Sequence, residues 1–291
     1  MKSLKWGSGP MKFTKMQGLG NDYIYIDCFA ATVDNPAALA PKISNRHFGV
    51  GGDGLVLILP SAIAAARMQM FNADGSEAEM CGNAIRCVAK YLYDHRLVSQ
   101  ANFEIETLSG IKKITIHTEH STVRTVRVDM GIPILDSQLV PVNTNLPETV
   151  HFPLAVNGRS YNFTAVSMGN PHCVIFVPEI SDAMVWEDGP AIEINPLFPR
   201  KTNVEFVQVV SRDLIVMRVW ERGSGETLAC GTGSCASAVA AMLNSLTDRK
   251  VTARLLGGDL EVEWDPADNH VYMTGPAVEV FQGEWPDFHP V

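Results

Sequence analysis

The sequence predicts an α/β (α+β) protein of two pseudo-symmetric domains, each a curved, mostly antiparallel sheet around a central helix. Three observations carry that expectation. The chain has 291 residues, and a domain commonly holds roughly 100–200. The chain is also written twice. Gly20-Asn21 lies over Gly169-Asn170, and Cys81-Gly82 lies over Cys230-Gly231, both at an offset of 149 (169 − 20 and 230 − 81). Finally, the segments between these anchors share one strand-and-helix pattern in that register, with no gap.

The elements follow in order. In each half an apolar strand comes after the Gly-Asn pair, at residues 23–28 and 173–177. The runs 55–59 and 204–208 come next, then 67–72 and 214–221. A loop rich in Gly, Ser and Glu leads to the Cys-Gly pair and a helix, at 83–95 and 232–245. Asn83 and Thr232 are suitable N-cap types for these helices. Later strands fall at 111–117 and 123–129, and at 250–255, 260–264 and 270–274. Asn157-Gly158 and Gly257-Gly258 mark hairpin turns. Residues 236–243 are apolar or small on every side, the pattern of a helix buried all round. The first helix carries Arg86, Lys90 and Asp94, which leaves its setting open. The expected halves are 11–129 with 276–291, and 130–275; residues 1–10 are expected to be a disordered extension.

Composition narrows the function. Apolar residues make up 46% and charged residues 19%, as in soluble globular proteins. The net charge of -9 argues against nucleic acid or an anionic membrane as partner, because no basic field neutralises phosphates. No run approaches the ~20 apolar residues that span a bilayer, and the first ten lack the apolar core of a secretion signal. A cytoplasmic protein is expected. The six cysteines are Cys28, Cys81, Cys87, Cys173, Cys230 and Cys235, with no C-x-x-C pair. Reduced thiols are therefore expected, and no metal site.

Cys81 and Cys230 differ from the other four. Each stands at a predicted helix start, after a polar loop, in both copies of the duplication. Cys28, Cys87, Cys173 and Cys235 lie within strands or helix bodies and read as small buried hydrophobes. A helix N-terminus lowers a thiol pKa and offers unpaired N–H groups to a carboxylate. That places a thiolate within reach of neutral pH. Two such starts on opposite sides of an α-carbon would let one thiolate remove its proton while the other thiol supplies one to the opposite face. The outcome is inversion of a stereocentre, with each cysteine serving as acid in one direction and base in the other.

At these residues the sequence resembles the diaminopimelate epimerase family. The matching segments run from Phe13-Thr14-Lys15-Met16 through Gly20-Asn21-Asp22, Asn45-Arg46-His47-Phe48-Gly49 and Phe71-Asn72-Ala73-Asp74-Gly75 to Met80-Cys81-Gly82-Asn83. They continue with Met168-Gly169-Asn170-Pro171-His172, Thr202-Asn203-Val204-Glu205, Glu221-Arg222-Gly223 and Ala229-Cys230-Gly231-Thr232. The resemblance implies interconversion of LL- and meso-diaminopimelate in the lysine and cell-wall pathway, with Cys81 and Cys230 as the acid/base pair. It implies a homodimer and no cofactor, neither pyridoxal phosphate nor a metal. Gly82, Asn83, Gly231 and Thr232 would hold the reacting carboxylate. Asn21, Asn72, Asn170, Asn203, Glu221 and Arg222 would hold the rest of the substrate. His172 and Glu221 would lie close to the reacting centre. Gly54 stands where some members carry a polar residue, and Ala84 where a glycine is often seen.

The same residues admit other readings. Gly49-x-Gly51-x-x-Gly54 matches a dinucleotide fingerprint, but a strand-like run rather than a helix follows it. A proline or hydroxyproline racemase would share the thiol pair, yet Cys81-Gly82-Asn83 replaces that family's usual Cys-Gly-His. A thiol redox protein would use Cys81 and Cys230 as a reversible disulfide. A non-catalytic amino-acid binding module would bind without exchanging the α-proton.

Overall fold

The chain packs as two units, one holding the residues through Val128 and from Pro276 onward, the other Asp129–Gly275. The computed structural model describes residues 10–29, 31–120 and 122–286. Residues 1–9 of the expected extension lie outside them.

The first part of the chain forms β1 (Met11–Gly18), β2 (Asn21–Asp27), α1 (Pro36–Ile43), β3 (Gly54–Leu59), β4 (Ala66–Asn72) and β5 (Glu77–Ala78). It continues through α2 (Gly82–Asp94), β6 (Asn102–Thr107), β7 (Gly110–Glu119) and β8 (Thr122–Gly131). The second part forms β9 (Phe152–Val156), β10 (Arg159–Ser167) and β11 (Pro171–Phe176), then a π-helical turn (Met184–Asp188) and α3 (Gly189–Glu193). After these come β12 (Asn203–Ser211), β13 (Leu214–Glu221), β14 (Gly225–Glu226), α4 (Gly231–Leu243), β15 (Lys250–Leu255), β16 (Gly258–Trp264) and β17 (Val271–Gly275). The last strand, β18 (Val278–Trp285), returns to the first unit.

Both units bond their strands in one order. In the first it is β18-β1-β2-β3-β4-β6-β7-β8, with β5 also on β4. In the second it is β9-β10-β11-β12-β13-β15-β16-β17, with β14 also on β13. Even the register repeats. Tyr23 pairs with Gly54 between β2 and β3, and His172 pairs with Asn203 between β11 and β12, each 149 positions on (172 − 23 and 203 − 54).

Two pairs in each unit are parallel: β2–β3 and β4–β6, β11–β12 and β13–β15. Parallel neighbours need a crossover, which usually carries a helix. The first crossovers carry α1 in one unit and the π-helical turn with α3 in the other. Their apolar sides meet the sheet, through Leu39, Ala40 and Ile43 against Ile24, Leu55 and Phe71, and through Val185 and Ile192 against Phe206 and Val204. The second crossovers carry α2 and α4. The strand Gly54–Leu59 is buried along nearly its whole length, which explains its unbroken apolar run. Helix α4 packs against β10 to β13 and β15 to β17, the central-helix arrangement expected of a curved sheet.

Several details depart from expectation. The helix N-caps are Cys81 and Cys230 themselves, in extended conformation, two residues before Asn83 and Thr232. Helix α2 is buried from Gly82 to Leu92 despite its charges. Its Arg86 is fully buried, donating from Nε to Pro276 O at 3.1 Å and from Nη1 to Gly82 O at 2.9 Å. Lys90 is neutralised by Asp94 one turn on, at 2.6 Å. Asn157 and Gly158, both at positive φ, make the expected hairpin, but the later hairpin turns on Leu256-Gly257, because Leu255 already pairs with Gly258. Helices α1 and α3, the π-helical turn and strands β1, β5, β6, β14 and β18 have no counterpart in the expected elements, and β9 and β10 only through the hairpin turn between them. Among the described residues no helix is long and apolar enough to cross a membrane.

The glycine-rich stretch before β3 is a packing device. A Cβ on Gly49 would lie 2.3 Å from Lys42 O and 2.6 Å from Ile43 O, at the end of α1. No side chain fits against those carbonyls. Gly49→Ala is expected to destabilise the protein by about 1–3 kcal/mol, the usual range for overpacking. Urea unfolding checks this; an unchanged midpoint would show that the α1–β3 connection yields freely.

Candidate active site

Cys81 with Gly82 and Asn83, and Cys230 with Gly231 and Thr232, stand at the starts of α2 and α4 within their respective units. Cys230 is buried at the N-cap of α4. Its sulfur accepts from Gly233 N at 3.3 Å and lies 3.5 Å from Thr232 Oγ1. Burial pushes the Cys230 thiol well above its ordinary pKa, and the charges of Glu221 and Glu205 push it further. The bonds from Thr232 and Gly233 act the other way without prevailing. Burial and two carboxyl groups thus act against the effect expected of the helix start, which favours the thiolate.

Cys81, at the N-cap of α2, is the part-exposed member of the six thiols. Its sulfur lies 3.9 Å from Tyr23 Oη. Burial raises Cys28 and Cys87 to about 11 and pushes Cys173 well up, in keeping with their reading as core residues. Cys235 is buried as well.

In the second unit His172, fully buried, bonds Glu205 Oε1 through Nδ1 at 2.7 Å and Asn170 Oδ1 through Nε2 at 3.0 Å. Burial raises the Glu205 carboxyl, with the His172 contact opposing. Glu221 accepts from Thr227 Oγ1 at 2.5 Å. Asn203 turns its carboxamide to the backbone, donating to Pro171 O and accepting from Arg222 N, both at 2.9 Å. It thus holds the turn that carries Arg222. The Arg222 guanidinium is exposed; it donates to Arg200 O at 3.2 Å and meets no acid among the described residues.

In the first unit Asn21 accepts from Asn83 Nδ2 and donates to Asp53 Oδ2 at 3.3 Å. Asn72 donates to Ser76 Oγ at 3.0 Å. Behind Asn21 lies an ion-pair cluster: Lys15 to Asp22 at 2.6 Å, and Arg46 to Asp22 at 2.6 Å and Asp53 at 2.8 Å. Burial alone would raise the Asp22 carboxyl; Arg46 and Lys15 outweigh it and hold it low.

The family profile described as diaminopimelate epimerase matches residues 13–135 and 164–280. A diaminopimelate epimerase of Acetivibrio thermocellus is 54% identical over 274 residues, covering 94% of this chain and 98% of that one. One from Pelotomaculum thermopropionicum is 55% identical over 279 residues, covering 95% and 99%. The chain belongs to the diaminopimelate epimerase family. Membership makes it an isomerase. Among solved structures, a hydroxyproline epimerase from Agrobacterium vitis with bound trans-4-hydroxy-L-proline superposes with TM-score 0.68 at 14% identity, covering 99% of this chain and 94% of that one. A Bacillus anthracis phenazine biosynthesis protein of the PhzF family gives 0.67 at 17%, covering 94% and 98%. At such identities the likeness is one of fold alone.

Two residues that serve this site escaped the sequence reading, Glu205 and Asp53. Each had a signal. Glu205 interrupts an apolar strand, and Asp53 ends the glycine-rich stretch just before β3.

The electrostatics of Cys230 can be tested directly. A nearby negative charge disfavours the thiolate, so Glu221→Gln is expected to lower the thiol pKa. The rate of Cys230 alkylation by iodoacetamide at pH 8 should rise several-fold, on the order of a few tenths to one pKa unit of thiolate gained. Peptide mass spectrometry of Cys230 reads the rate, and an unchanged rate would show that Glu221 does not act on this sulfur.

Proposed function

We propose that the chain interconverts LL- and meso-diaminopimelate by inverting one α-carbon with Cys81 and Cys230 as its acid and base, without pyridoxal phosphate or a metal. The observation that carries this reading is the repeated arrangement: a cysteine at the N-cap of a 13-residue helix, at the same register in both halves. A reversible inversion needs a donor and an acceptor that exchange roles when the direction changes. Two groups of the same kind meet that need. The N–H groups of a helix's first turn, which have no partner within the helix, suit the substrate carboxylate and stabilise charge that builds on it as the α-proton leaves. The names of the curated relatives support diaminopimelate as the substrate. That substrate places the reaction in the supply of lysine and cell-wall precursors.

The surroundings of Cys230 support an assignment within the pair. Burial and two neighbouring carboxyl groups favour its protonated form. Cys230 then starts as the proton donor and Cys81, part-exposed, as the acceptor. As the α-proton passes to the Cys81 sulfur, the Cys230 proton passes to the opposite face of the carbon. The enzyme ends with the two protonation states exchanged, which is the form that takes the other epimer. A substrate ammonium group beside Glu221 would offset the charge that holds the Cys230 proton, easing its release. Arg222, an exposed cation with no acid partner among the described residues, suits the distal carboxylate.

Incubation of the reduced protein with LL-diaminopimelate in D2O tests the reading. The α-proton signal should fall and meso product appear without added cofactor. Cys81→Ala and Cys230→Ala should each lower epimerisation by about 10²–10⁴-fold, the usual contribution of one acid or base, while leaving the fold intact. Wild-type turnover by either single variant would sink the two-thiol mechanism.

A further inference from the structure

Glu205 sits in β12 between Val204 and the apolar pair Phe206 and Val207, and it is fully buried. A carboxyl group is costly there unless it is partnered. Its Oε1 meets His172 Nδ1 at 2.7 Å, while Oε2 is buried without a hydrogen-bond partner among the described residues. Room has been left for it. A Cβ on Gly233 would lie 2.8 Å from Glu205 Oε1 and 3.2 Å from Cys230 Sγ, so a glycine in the first turn of α4 lets both groups approach.

With the Asn170 oxygen turned toward the ring, the protons follow from donor and acceptor counting. An amide oxygen only accepts, so the contact of His172 Nε2 with Asn170 Oδ1 puts a hydrogen on Nε2. Nδ1 and Oε1 then share one proton between them. Whichever atom holds it, the buried pair carries no net charge. Asn170 is left with its NH2 group, which bonds nothing among the described residues on a part-exposed residue.

We propose that Glu205 is a positioning residue which, through His172, locks the Asn170 carboxamide with its oxygen inward and its NH2 outward, offering two N–H donors to a substrate carboxylate. This rests on the epimerase reading, in which Asn170 meets the substrate. Without Glu205 a neutral imidazole can carry its hydrogen on Nδ1 instead. Asn170 then turns over to donate to the bare Nε2 and presents an oxygen, which repels a carboxylate. The first half has no such relay, since Tyr23 and Val56 occupy the corresponding positions (172 − 149 and 205 − 149). There Asn21, the counterpart of Asn170, is fixed in the opposite sense: its NH2 is taken by Asp53.

Glu205→Leu and Glu205→Gln separate positioning from packing. With Glu205→Leu, the KM for LL-diaminopimelate should rise about tenfold or more, the mark of lost binding; kcat changes as well, because a carboxyl group beside Cys230 is removed. With Glu205→Gln, whose NH2 can donate to Nδ1, KM should return to within about threefold of wild type. Nitrogen-15 histidine spectra should show hydrogen on His172 Nε2 in the wild type and in Glu205→Gln, and a tautomer mixture in Glu205→Leu. A wild-type KM in Glu205→Leu, or a bare Nε2 in the wild type, would overturn the relay. If Glu205→Leu does not fold, the wild-type spectrum decides alone. Failure of wild-type protein to exchange the α-proton would instead sink the epimerase reading, and the tautomer would still judge the relay.

Discussion

A cysteine at the N-cap is the constraint around which each half is arranged. The N-cap residue must be extended while the next residue is helical, so the chain turns sharply at the sulfur-bearing carbon. In the second half the sulfur then accepts from Gly233 N, one of the N–H groups that have no partner within the helix. To keep that geometry the helix cannot move, and burial is what holds it. The two halves solve this with different side chains. Helix α4 uses Ala, Ser and Cys, small enough to sit within the sheet. Helix α2 keeps a buried Arg86, whose guanidinium is met by the carbonyls of Gly82 and Pro276. One of those carbonyls belongs to the helix's own first turn and the other to the chain leading into β18. The far end of the sequence therefore helps anchor the start of α2.

The duplication has kept backbone and let side chains diverge. Strand order, the parallel pairs and the pairing register repeat because the hydrogen-bond ladder leaves no freedom to drift; a slip of one residue would turn every side chain to the wrong face. Side chains at matched positions are under no such restraint. Tyr23, Val56, Asn72 and Ala73 of the first half stand where the second has His172, Glu205, Glu221 and Arg222. At these four positions the second half carries ionisable groups, and the first carries hydroxyl, amide and apolar ones. In the proposed reaction one end of the substrate is inverted while the other is only held, a task that suits unequal halves.

What could be seen in the sequence followed from periodicity and repetition. The anchors at Gly-Asn and Cys-Gly placed β2, β3, β4 and α2, and their copies, to within a few residues. Short or exposed elements gave no such signal. Helix α1 has eight residues with a proline inside, and α3 has five, too few for a helical period to emerge. Strand β18 is largely exposed and its partner β1 lies at the other end of the chain, so neither an apolar rhythm nor a hairpin turn announces it. At the site, cysteines in duplicate were visible because chemistry and repetition coincided. Glu205 and Asp53 were not, because their meaning is a contact across strands: Glu205 lies 33 residues from His172, and Asp53 lies 32 from Asn21.

The charge state of Cys230 shows why magnitude must decide between opposing local rules. A helix end favours a thiolate by roughly 0.3–1 kcal/mol, and up to about 2 when partly buried. Each pKa unit is worth about 1.4 kcal/mol, so the helix end amounts to about one unit at best. Full burial can shift a group by about 3–5 units the other way, and Glu221 and Glu205 add their repulsion. The helix start therefore does not make Cys230 a standing thiolate. Its N–H groups have a different use: they favour negative charge that arrives with a substrate or forms during the reaction. A thiol kept protonated by burial and neighbouring acids, yet capped by those same N–H groups, holds its proton until the charge around it changes. In the proposed reaction an incoming ammonium group supplies that change.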